Sequence, residues 1–437
     1  MNRPPTRSGA MLLALTCISG SRAGAQQIDF PSKSPVDRSV AIRVHGLSGG
    51  AIVGLRTALV DATGRQWAAR AEFRADAGGN VDTGRDPSRS GTYRGVETAG
   101  LFNQMQAVGD TTGRLRFQTP GLSTLPTIIA LEDSSGRVLD SLVVERFFLG
   151  PGVRIAPLTD TRLRGRLFVP ARPGAPGIVV LGGSEGGFPD DLAALLATNG
   201  YFALSLAYFG GDSLPSELAE ISLDYVGQAI NWLKAQPGVW SDRIALVATS
   251  KGAEAALLVA SQVAGVSAVV AYAPSSVAWS CICSEPARSS WTVGGKPVVA
   301  VPPGADPAYR RDAGEPLRPA VNYLYRLRET PPSAVIPVER IAGPLLLVAG
   351  GDDQLWPSLP MANAIMQRRA LPKRHPDDQL LVYPQAGHLI GKAFVPAGST
   401  RTGGGRLETG GTSAGNARAQ ADAWPRVLAF LAKALAR

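Results

Sequence analysis

The sequence predicts an α/β fold in two parts. An antiparallel, immunoglobulin-like β-sandwich should cover residues 26–150, and an α/β domain with a mostly parallel sheet should cover residues 151–437. Three observations predict this. The chain has 437 residues, 45% hydrophobic and 18% charged, which is enough for a real core and too long for one ordinary domain. Up to about residue 150, short alternating apolar runs are broken by turn residues at close spacing. Beyond that point, continuous apolar runs alternate with segments of helical period.

Residues 1–25 read as a separate address. Arg3 and Arg7 precede a short apolar run, Ala10 to Ile18, and Ala23-Gly24-Ala25 offers small residues for cleavage. This is the secretory pattern, and the run is too short for a comfortable membrane anchor. The expectation is a signal peptide cleaved after Ala25 and a secreted or periplasmic protein; without such a leader the chain would be cytoplasmic. Thr16 is too bulky for a lipoprotein site at Cys17. Cleavage removes Arg3, Arg7 and Arg22 and no acid, taking the formal charge from +9 to +6.

In the sandwich, Val40, Ile42 and Val44 alternate with polar neighbours. Ala58 to Asp61 turns at Thr63-Gly64 into Arg65 to Trp67, and Ala71 to Asp76 turns at Gly78-Gly79. Thr127 to Asp133 turns at Ser135-Gly136 into Arg137 to Phe148. Asp82 to Gln106 reads as an irregular excursion.

The second half supplies strands at Leu163–Val169, Gly177–Leu181, Tyr201–Ala207, Arg243–Ala248, Ser267–Ala271, Leu345–Val348 and Gln379–Tyr383. Ser222–Ala235 places Leu223, Val226, Ile230 and Leu233 on one helical face and stops at Pro237-Gly238. Ala253–Ser261 and Ala417–Ala436 are also helical, the last with a kink expected at Pro425. Ser275–Arg340 and Val395–Gly415 interrupt the pattern, and the second should be mobile.

Composition excludes several functions. Three cysteines and three histidines rule out a disulfide scaffold and a zinc finger. Cys281 and Cys283 are expected to stay thiols, because a bridge between residues two apart is strained. The basic residues form no block, so no nucleic-acid partner is expected. The acid pairs Asp190-Asp191, Asp352-Asp353 and Asp377-Asp378 lack histidine or cysteine at ligand spacing, so no metal is expected. No cofactor and no stable membrane insertion are expected either. The anticipated partner is a small acyl ester or thioester; oligomeric state is not legible.

Ser250 carries the chemistry. It lies in Val247-Ala248-Thr249-Ser250-Lys251-Gly252-Ala253, after a strand and before a helix. A nucleophile elbow needs small residues two before and two after the serine; Gly252 fits, and Ala248 replaces the usual glycine. A helix-capping serine is the plainer alternative. The hydroxyl needs a base and the base an orienting acid, in the chain order Ser, acid, His. Asp353 follows the strand Leu345–Val348, with Asp352 in reserve. His388 follows the strand Gln379–Tyr383, whereas His375 sits in a charged run and His45 belongs to the sandwich. The Gly-rich loop Gly182 to Gly187 offers amides for an oxyanion, and the donors are assigned to the backbone of Ser184, or its neighbour, and Lys251. Its spacing fits no dinucleotide or phosphate loop.

The stretch Thr249 to Glu254 resembles the nucleophile region of the acyl-CoA thioesterase / bile acid-CoA:amino acid N-acyltransferase family. Tyr272 to Ser276, Ala287 to Thr292, Gly295-Lys296-Pro297, Gly350 to Trp356, Ala386-Gly387-His388, Gly410-Gly411 and Ala421 to Trp424 resemble it too. Phe73 to Asp76, Gly79 to Asp82 and Tyr93 to Val96 are similar to its N-terminal region. The resemblance implies an α/β-hydrolase fold, a Ser-Asp-His triad and thioester hydrolysis through an acyl-enzyme. Conjugating members are associated with cysteine at the nucleophile position, so Ser250 favours transfer to water over N-acyl transfer. The secretory pattern instead points to an exported carboxylesterase or dienelactone-hydrolase-like enzyme, and a non-catalytic binding protein is a third reading. The sandwich is expected near the mouth of the site, limiting access.

Overall fold

The computed structural model describes residues 26–110, 115–211, 213–371 and 375–436. The expected signal segment, with Cys17, lies outside the described residues.

The N-terminal strands alternate inward and outward as their sequence does. In Gln66–Arg74, Trp67, Ala69, Ala71 and Phe73 are buried and their neighbours are not. This strand joins a sheet ordered Lys33–Pro35, Val138–Phe147, Leu125–Glu132, Ile52–Val60, Gln66–Arg74, Ser90–Gly91. Its pairs are antiparallel except the first, which is parallel. A small sheet of Gln27–Asp29, Arg43–His45 and Val81–Asp82 accompanies it. The excursion expected after Asp82 contains one buried helical turn, Gly100–Asn103.

The second half is built on an eight-stranded sheet. Its order is Arg154–Ala156, Gly165–Val169, Phe202–Leu206, Ala175–Leu181, Val239–Thr249, Ala268–Tyr272, Leu345–Gly350, Gln379–Tyr383. Gly165–Val169 runs antiparallel to its neighbours, and the remaining pairs are parallel. This is the α/β-hydrolase fold. Every residue of Ala175–Leu181 is buried, because helices cover both faces. Asp190–Thr198 and Ser413–Ala434 lie on one face; Leu223–Lys234, Lys251–Ala260 and Ser358–Arg369 lie on the other.

The N-terminal sheets share their core with the first of these faces. Asp37 Oδ2 accepts from Asn199 Nδ2 (2.6 Å) and Trp424 Nε1 (3.0 Å). Arg146 is fully buried and donates to the carbonyls of Phe394 (2.6 Å) and Val36 (3.1 Å).

Several expectations need correction. The helix Asp190–Thr198 is not among the expected elements; residues Leu192 to Ala197 are buried all round, which leaves no polar face to mark a helical period. The C-terminal helix begins at Ser413, before the expected Ala417, and carries Pro425 within it. Cys281 and Cys283 are joined as a disulfide; the loop holds their Cα atoms 5.4 Å apart, an ordinary span for such a bond. The segment Val395–Gly415, expected to be mobile, holds Thr409 to Gly411 buried or half-buried against two loops of the site.

Candidate active site

Ser250 sits where the strand Val239–Thr249 turns into the helix Lys251–Ala260. Its backbone has φ 57° and ψ −122°, a conformation that costs a non-glycine residue energy. The turn explains its neighbours. A side chain at position 252 would collide with the Gly182 carbonyl oxygen, so Gly252 has no substitute. Ala248 is fully buried in the strand, where a methyl group fits.

The Ser250 hydroxyl lies 3.0 Å from His388 Nε2, and His388 Nδ1 lies 2.8 Å from Asp353 Oδ2. With Nδ1–H directed at the carboxylate, Nε2 is left to accept the serine proton. The other Asp353 oxygen accepts from the amides of Leu355 (3.0 Å) and Trp356 (3.1 Å). All three side chains are buried. Trp356 packs edge-on against the imidazole, at 5.8 Å between ring centroids.

Asp352 faces elsewhere, accepting from the Gly411 amide (2.9 Å) and Gln354 Nε2 (2.5 Å). It helps tie the acid loop to the segment Thr409–Gly411. His388 N donates to Thr409 O (2.8 Å), and Asp353 and Ala386 form backbone bridges with Gly410 and Gly411. Gly410 and Gly411 both have positive φ and press directly on the backbones of Asp352 and Gly387. His45 bonds Asn80 (2.9 Å) at the sandwich surface, and His375 accepts from the Asp377 amide (3.4 Å).

In the Gly-rich loop, Gly183 is the residue set against the nucleophile. A Cβ there would lie 3.3 Å from Ser250 Cβ; Gly183 is the neighbour of Ser184 that the donor assignment allows, and Ser184 itself is exposed. The Gly183 amide donates to Glu185 Oε1 (3.1 Å). Tyr208 secures the loop from beneath, its hydroxyl 2.8 Å from Gly182 O and 3.2 Å from Gly183 O. Burial raises the Tyr208 pKa well above the usual phenol value, keeping it a neutral donor. Lys251 begins its helix, so its amide has no intrahelical acceptor.

Sequence reasoning passed over the support behind the helix. Lys251 Nζ pairs with Glu254 (2.7 Å), and both are buried. Glu254 Oε1 also accepts from Trp279 N (2.9 Å) and Trp291 Nε1 (2.6 Å), so it binds the insertion after Ser275 to the nucleophile helix. The available signal was a Lys and a Glu three apart in an otherwise apolar helix. Among the described residues there is no cluster of three or more possible metal ligands. No described helix is long and apolar enough to cross a membrane.

Residues 37–160 match the family model described as Acyl-CoA thioester hydrolase/BAAT N-terminal region. Residues 221–437 match BAAT / Acyl-CoA thioester hydrolase C terminal. Mouse mitochondrial acyl-coenzyme A thioesterase 2 is 33% identical over 418 residues, covering 93% of this chain and 89% of that protein. The chain belongs to the acyl-CoA thioester hydrolase/BAAT family. It is accordingly an enzyme of the hydrolase class. Within this family, human acyl-coenzyme A thioesterase 1 is 32% identical over 91% of this chain and 94% of its own length. The mouse peroxisomal succinyl-coenzyme A thioesterase is 32% identical over 94% and 97%. Among solved structures, a dienelactone hydrolase-like promiscuous phosphotriesterase from metagenomic libraries is 18% identical. It covers 64% of this chain and 97% of its own, with a TM-score of 0.40.

Proposed function

We propose that this enzyme hydrolyses acyl-CoA or related thioesters through an acyl-enzyme on Ser250. The observation that carries the reading is the continuous contact from Ser250 through His388 to Asp353. Ser250 Oγ attacks the thioester carbonyl and passes its proton to His388 Nε2. The tetrahedral intermediate collapses, the C–S bond breaks, and His388 returns the proton to the leaving thiolate. Water then attacks the acyl-enzyme with His388 as base, releasing the acid and restoring the serine. Asp353 holds the imidazole in the useful tautomer and stabilises the imidazolium. The amides of Gly183 and Lys251 serve the oxyanion, Gly183 being the neighbour of Ser184 that the sequence assignment allows. Glu185 must release the Gly183 amide before that donor can act. A thioester carbonyl is electrophilic and its thiolate leaves readily, so these groups suffice.

The test is thiol release from acyl-CoA by the wild type and by Ser250→Ala. The variant should lose at least about a thousandfold in kcat with its fold intact. Fluorophosphonate should label the wild type and not the variant. Unchanged turnover would end the assignment. The N-terminal leader pattern favours a second reading, an exported carboxylesterase. Higher kcat/KM on short p-nitrophenyl esters than on acyl-CoAs would favour it.

A further inference from the structure

Lys392 lies four residues beyond His388 in an otherwise apolar run, Leu389 to Phe394. It is half-buried beside the nucleophile. Its Nζ donates to Thr249 Oγ1 (3.0 Å), and Thr249 immediately precedes Ser250. The ammonium also lies 4.2 Å from the centre of the Tyr272 ring. Among the described residues Lys392 makes no ion pair. The acid whose charge it feels, Glu185, makes no ion pair with it and directs one carboxylate oxygen to the Gly183 amide. A second cation, Arg116, adds positive field from an exposed position in the N-terminal half. Burial lowers the Lys392 pKa to about 8, so the group is still mostly protonated at neutral pH.

A half-buried ammonium without a carboxylate partner is costly, and the cost is offset when an anion binds beside it. We propose that Lys392 is a specificity residue that binds a carboxylate on the acyl group, so that the favoured substrates are short ω-carboxyacyl thioesters. The inference rests on the thioesterase reading above. Reach selects the carboxylate. Lys392 Nζ bonds the side chain of Thr249, the residue next to the nucleophile, whose Cα lies about 3.8 Å from that of Ser250. The phosphates of coenzyme A lie at the far end of the pantetheine arm. A carboxylate at the end of a short acyl chain lies only a few bonds from the carbonyl.

The experiment compares succinyl and butyryl thioesters, each on coenzyme A and on N-acetylcysteamine, which has no phosphate. The wild type should prefer succinyl by about tenfold or more in kcat/KM on both carriers. Lys392→Met should abolish that ratio on both, and Lys392→Arg should restore part of it. A ratio near one in the wild type would overturn the proposal, as would a ratio that survives Lys392→Met. A loss in Lys392→Met confined to the coenzyme A pair, whatever the acyl group, would assign the lysine to phosphate and also overturn it. Butyryl turnover that depends on Ser250 would leave the thioesterase reading standing in either case. No Ser250-dependent turnover of any thioester would remove that reading itself.

Discussion

Lys251 and Lys392 both lie close to Ser250, and the fold treats them in opposite ways. Lys251 is buried against Glu254, and Glu254 is satisfied by two further donors, Trp279 N and Trp291 Nε1. Burial lowers the pKa of Lys251 and raises that of Glu254; their mutual attraction and hydrogen bond oppose both shifts. Lys392 bonds a hydroxyl and faces an aromatic ring, and among the described residues it makes no ion pair, feeling Glu185 only through space. A closed charge network holds structure, because every member is committed. An open one has capacity left for a ligand.

The largest test of this contrast is Glu254→Ala. It strands a buried ammonium and two donors, and should cost about 3–5 kcal/mol in chemical denaturation. A loss below about 1 kcal/mol would show that the pair is no clamp. Next comes Trp291→Phe, which keeps a ring near Lys251 and removes one donor to the carboxylate. About 1.5–3 kcal/mol should be lost, with the insertion after Ser275 becoming more susceptible to proteolysis. Equal stability would mean that the Trp291 bond is dispensable.

The smallest effect has the opposite sign. Lys392→Met removes a poorly compensated charge and should raise Tm at pH 7. The folded state loses the Lys392 proton near pH 8, whereas an unfolded lysine keeps it to about 10.5. Between these values the unfolded state binds more protons, so wild-type stability attributable to this group rises with pH. The Tm advantage of the variant should therefore shrink between pH 7 and pH 10. A constant gap across that range would mean that the charge of Lys392 is not the cause.

Much of the site was legible in the chain. Ser250 stood out because it lies between a buried strand and a helix with Gly252 after it, although a helix cap was the plainer explanation. His388 stood out because histidine is scarce and this one follows a late strand. Choosing Asp353 over Asp352 was a matter of spacing, and the two carboxylates prove to face different partners. Other features depended on contacts between distant segments. Between Ser184 and its neighbour the sequence left the choice open, and the turn after Leu181 brings Gly183 against the elbow. The Gly-rich stretch near residue 410 looked mobile in isolation, yet its glycines let it pack tightly on the acid and histidine loops.

By itself the sequence determined the two-part architecture, most strands of the parallel sheet and the order serine, acid, histidine. These follow from local periodicity and turn chemistry, which act over a few residues. Only the tertiary structure decided which residue of the Gly-rich loop lies against Ser250, what holds Glu254 and why Lys392 makes no ion pair among the described residues. Those outcomes depend on side chains from segments far apart in the chain sharing one desolvated space, where a charge is either paired or left ready for a ligand.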